Sequence, residues 1–171
     1  MTTKWRTLTG GPRSKIEDIV AFVKEATKAG QHLHIGTDSL QTGRWSQFVT
    51  VVVVLNPPHG GRVAYKREIM PRIESLRERL LKEVWLSTEL GLELAPVVQG
   101  ELTIHIDANP SEKFMSNKYV QELVGLVVGQ GFKALIKPES WAAAHCADHV
   151  VRHHGKLPGN WAPPARARRS A

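Results

Sequence analysis

Asp38 and Asp107 each close a short strand-like run, the first in "HLHIGTD" (32–38), the second in "GELTIHID" (100–107). If the two runs are parallel neighbours, both carboxylates meet at one sheet edge, where the sites of such sheets gather. Like charges that close repel unless a cation neutralises them, and hard oxygen donors suit Mg²⁺ or Mn²⁺. Two more acids could join them. On the helix that opens at Pro71, the apolar stripe centres on Ile73, Leu76, Leu80 and Val84. Glu78 and Glu89 project away from that stripe and Glu74 lies well off it. Glu83 sits at its border, so it either belongs to a solvated helix face or turns toward the sheet with its head near solvent. Asp148, in "HCADH", shares a helical face with Trp141, Ala144, His145 and Val151. An acid there needs a partner, either Arg152 four residues on or a metal.

The elements that must position these acids follow from pattern. Helical spacing predicts a helix over 14–27 with Ser14 as N-cap, ended by Gly30. Strands are expected over 32–38, 47–56 and 62–70, the last two joined by the turn cluster "PPHGG". A long helix should run from Pro71 to Leu90, ended by Gly91. Strand 100–107, helix 116–131, strand 132–137 and a final helix 140–154 capped by Ser140 complete the order. The product is an α/β fold, a mixed five-stranded sheet flanked by helices, in the order α-β-β-β-α-β-α-β-α.

One domain is expected over 1–155, followed by a Pro- and Arg-rich tail, 156–171, with too little apolar surface to fold. In the tail, Arg166, Arg168 and Arg169 either solubilise the chain or contact phosphate. Net charge is +7, which favours polyanionic partners such as nucleic acid and says nothing of fold. No apolar run is long enough for a membrane span, and "MTTKWRTLTGG" lacks an apolar signal core. The single cysteine, Cys146, excludes an intramolecular disulfide and a multi-cysteine zinc site, so a cytoplasmic setting is expected.

Taken in order, "IGTDS", "SLRERLLKE", "IHIDAN", "GFKALIKPESWAA" and "AD" resemble the ribonuclease H-like superfamily, and more narrowly its YkuK family, over about residues 32–149. The resemblance implies a metal-dependent nuclease with Asp38, Glu83, Asp107 and Asp148 as catalytic metal ligands. Two Mg²⁺ or Mn²⁺ ions would act on a phosphodiester of RNA, DNA or a hybrid, with ions roughly 3.5–4 Å apart. Lys113 and Lys137 are candidates to hold the substrate backbone. Asn109 either contacts substrate or caps its loop, and His145 could assist proton transfer beside Asp148.

Other readings stay open. His145, His149 and His153 at i, i+4, i+8 could hold zinc, although the glutamate of H-E-x-x-H is missing. His34 and His105 share strand parity with the aspartates and are expected to meet as buried, hydrogen-bonded rings. The same fold could serve as a non-catalytic nucleic-acid-binding module, or as a protein-interaction scaffold. Trp5, Trp45 and Trp161 fall outside the expected core, which favours the scaffold slightly.

Overall fold

Valine and threonine dominate "FVTVVVVL", a composition that packs well on both faces of a pleated sheet. In the computed structural model these residues form the buried middle of the central hairpins. The structure describes residues 5–7, 14–58 and 60–153, without the side chains of 151 and 153. The expected tail and Trp161 lie outside the described residues.

The elements are β1 (Arg6–Thr7), α1 (Ile16–Lys28), β2 (His32–Thr42), β3 (Trp45–Leu55), β4 (Gly61–Pro71), α2 (Leu76–Leu94), β5 (Leu102–His105), α3 (Val120–Gly129), β6 (Lys133–Leu135) and α4 (Asp148–His153). A π-helical segment, Ala142–Ala147, leads into α4. The sheet order is β1-β4-β3-β2-β5-β6. β2, β3 and β4 form an antiparallel meander, while β5 and β6 add in parallel beside β2, as the element order predicts. The sheet has six strands rather than five, because Arg6 and Thr7 pair with Tyr65 and Ala64 at its edge.

Several boundaries differ from expectation for local reasons. β2 does not stop at Asp38. The polar run "SLQT" pairs onward with Trp45–Phe48, and a two-residue turn with Gly43 at φ 55° closes the hairpin. Pro71 ends β4 instead of opening α2, whose first turn is capped by Ser75 Oγ accepting from Glu78 N at 3.3 Å. Gly91 lies inside α2 because the helix packs close there: a Cβ would stand 3.2 Å from Ile104 Cδ1 and from the Phe132 ring. Ser14 does not cap α1. Its backbone pairs with Trp5, and Asp18 accepts from Lys15 N at 2.7 Å in the first turn. That pairing seats Trp5 in the core, 2% exposed, against expectation.

The sheet carries two unequal cores. Leu33, Ile35, Val52 and Val54 face α1, α2 and α3, with Val23, Leu80, Val84, Leu90, Ile104 and Leu123. On the other face Val49, Val51, Val53 and Tyr65 meet Ala142, Ala147 and Val150. There the chain lies so near β2 that a Cβ on Gly36 would stand 2.6 Å from Ala143 N. The regular helix expected from Ser140 is therefore replaced by the wider π-helical segment. The Ser140 hydroxyl is buried and makes no hydrogen bond among the described residues, so it is not a cap. No helix among the described residues is long and apolar enough to cross a membrane.

Candidate active site

The parallel register pairs Gly36 with His105, so two residues further on Asp38 comes level with Asp107. There β5 has ended while β2 continues to Thr42, leaving an open notch beside β2. Chain pairing persists just past β5 through Ile106 N to Leu135 O at 2.8 Å, which fixes Asp107 at the notch.

Each carboxylate reaches this place from a different element. Asp38 Oδ1 accepts from Ser39 N at 2.7 Å. Burial first, then the charge of Asp107, pushes the Asp38 carboxyl from its ordinary 3.8 to about 7, and Asp148 adds to the effect. Ser39 points to the opposite face of β2 and meets Glu83 Oε1 at 2.5 Å. Glu83 is buried, 6% exposed, not merely turned with its head near solvent. Burial, then the charge of Asp38, raises its carboxyl well above the usual range.

The other two acids have basic partners. Asp107 Oδ1 lies 2.7 Å from Lys137 Nζ. Asp148 pairs with Arg152, the i, i+4 partner foreseen for it. All four acids thus share one electrostatic neighbourhood, with Lys137 and Arg152 among them. Among the described residues, no three carboxylate, imidazole or thiol groups are gathered tightly enough to hold a metal as they stand. The donor set nonetheless fits a hard dication: among the described residues Asp38 and Glu83 form no ion pair, and burial, with the charge of neighbouring acids, keeps both from ionising normally.

The sequence reading missed the polar frame beneath these acids. Thr37 Oγ1 meets Ser87 Oγ at 2.8 Å and Thr50 Oγ1 at 3.0 Å, both buried. Ser87 is one helical turn from Glu83, and Thr37 is one same-face step from Ser39. Two polar contacts, Thr37–Ser87 and Ser39–Glu83, therefore fix α2 on β2. Small hydroxyl residues on either side of Asp38, Thr37 and Ser39, and Ser87 four residues after Glu83 were the available signal.

His34 and His105 do meet, Nδ1 to Nε2 at 3.0 Å. Trp141 packs edge-on or tilted against both rings at 4.8 and 4.9 Å. Burial lowers each imidazole to about 4, so both are neutral near pH 7. Among the proposed substrate contacts, Asn109 Oδ1 accepts from Ser111 N at 2.9 Å, which makes it a loop-builder. Lys113 and His145 are exposed, and Lys137 is engaged with Asp107.

A profile of proteins described as ribonuclease H-like matches residues 14–152. A curated Bacillus subtilis (strain 168) protein, "Uncharacterized protein YkuK", is 26% identical over 152 residues, covering 80% of this chain and 88% of that protein.

Proposed function

Because this chain belongs to the ribonuclease H-like family, we propose that it is a metal-dependent nuclease acting on phosphodiester bonds. The observation that carries the reading is geometric: the parallel register brings Asp38 level with Asp107 at the open edge of β2, and Ser39 ties Glu83 to the same strand. Asp38, Glu83, Asp107 and Asp148 are the proposed ligands of Mg²⁺ or Mn²⁺. Bound there, two such ions would supply Lewis acidity, activating water and stabilising the leaving oxygen.

The chain's own residues supply the rest. Ser39 orients two ligands at once, Asp38 through its backbone N–H and Glu83 through its hydroxyl. The Thr37–Thr50–Ser87 contacts keep that pair from drifting apart. Lys137 balances Asp107 in the metal-free protein and, once its partner is engaged, stands ready for a substrate phosphate. Lys113 offers a second cation from the adjacent loop. His145, exposed and three residues before Asp148, can carry a proton at the solvent side.

The test is Asp107→Asn, assayed with Mn²⁺ or Mg²⁺ on RNA, DNA and hybrid substrates. Hydrolysis should fall by at least about a hundredfold, since a lost metal ligand removes most of the charge stabilisation. Wild-type-like turnover in that variant ends the reading. One observation favours a second reading, a non-catalytic nucleic-acid-binding module: Lys137 and Arg152 already neutralise two of the acids. Salt-sensitive binding without cleavage under either ion would select it.

A further inference from the structure

The chain leaves Asp107 into a loop held by its own hydrogen bonds. Asn109 N donates to Ser116 Oγ at 3.1 Å, Phe114 N to Ser111 O at 3.0 Å, and Asn117 N to Phe114 O at 3.1 Å. Asn117 Nδ2 also donates to Pro110 O. The loop does not use this order to bury its apolar side chains. Phe114 is 52% and Met115 73% exposed. The other large exposed apolar residues among those described, Trp85, Leu92, Leu126 and Val128, sit on α2 and α3.

The charges beside Phe114 are mainly positive. Lys113 precedes it and Lys118 follows, the Lys118 ammonium lying 5.0 Å from the Tyr119 ring centroid. Glu112 is the one acid of the stretch 111–118. Lys137 stands at the loop's root, on Asp107. An aromatic face kept in water by a braced loop, with lysines on either side, matches a nucleotide with its base free to stack and its phosphates free to pair.

We propose that Phe114, with Met115, is a stacking platform for an unpaired base, flanked by Lys113 and Lys118 as phosphate contacts, so the chain takes single-stranded nucleic acid. A duplex hides the base faces that a ring could cover, which is why the strand must be single. The proposal rests on the nuclease reading, which explains why nucleic acid approaches this edge.

The experiment measures anisotropy of short labelled single strands of mixed sequence, RNA and DNA, and of the matching duplexes, with EDTA present to prevent cleavage. The wild-type chain should bind a single strand more tightly than its duplex. Phe114→Ala should weaken single-strand binding about tenfold with a much smaller effect on duplex. Phe114→Tyr should restore the affinity, and an unchanged thermal midpoint confirms folding. Preference for RNA or for DNA supports the proposal equally and identifies the sugar. Wild-type affinity in Phe114→Ala, a preference for duplex, or no binding to any strand overturns it. Calorimetric titration of Mn²⁺ into the wild-type and Asp107→Asn proteins, run in parallel, reports on the carboxylates separately. Loss of the platform is thus distinguishable from loss of the metal site.

Discussion

Single residues at the notch set opposing demands on pH. The Asp38 carboxyl rises from 3.8 to about 7 on folding, so the native state holds its proton more tightly than the unfolded chain does. Its contribution to stability is full below about pH 4 and is lost as pH climbs toward 7. His34 and His105 run the other way: each falls from 6.5 to about 4, so their contribution is present above 6.5 and lost toward acid. The two effects largely overlap in one pH window and offset one another in the metal-free wild type. Asp38→Asn removes the first and eases the like-charge burden on Glu83, while leaving the imidazoles in place. Differential scanning fluorimetry should then show the variant gaining on wild type as pH rises from about 4 to about 7. Added Mn²⁺ should raise the wild-type midpoint most at the upper end of that range, because ligands bind the ion deprotonated.

At the scale of elements, the approach of the π-helical segment to β2 yields a sharp contrast between two glycines. Gly36→Ala puts a Cβ 2.6 Å from backbone that cannot yield without moving the whole segment. It should cost on the order of 1–3 kcal/mol in urea unfolding, and should weaken Mn²⁺ binding because Asp148 begins the helix that follows. Gly125, midway along α3 with nothing within 4 Å of its would-be Cβ, should gain roughly 0.5–1 kcal/mol as Gly125→Ala. The same region shows what a sequence discloses. Strand identity, the meander and the parallel additions were legible, because β-branched runs and helical stripes are periodic and strongly biased. Asp38, Asp107 and Asp148 could be singled out because acids at strand ends, or beside tryptophan on a helix face, are unusual. The end of β2 was not legible, since "SLQT" has turn-like composition and only its pairing with β3 makes it strand. Nor was the π-helical segment, whose form depends on the absence of a side chain more than a hundred residues earlier. Trp5 was misplaced for the same reason: a two-residue strand carries no period, and only its partners β4 and Ser14 hold it.

Across the whole molecule, the sheet divides a deep core under α1, α2 and α3 from a thin one under the C-terminal segment. Hydrogen exchange monitored by mass spectrometry should follow that division: amides of Ala142–His153 should exchange faster than those of β2 and β3 in the metal-free protein, and should slow when Mn²⁺ is added. Equal protection of both regions without metal would show that the thin layer is as firmly held as the thick one. The arrangement of β2 has one more result. Asp38 and Ser39 are consecutive and serve opposite faces, one toward the C-terminal layer and one toward α2. If this strand were threaded one step out of phase during refolding, the aspartate would be driven among leucines and the serine would forfeit its glutamate. Cation uptake by a renatured sample would then count the correctly threaded molecules, and inclusion-body material could be graded by that titration before any substrate is known.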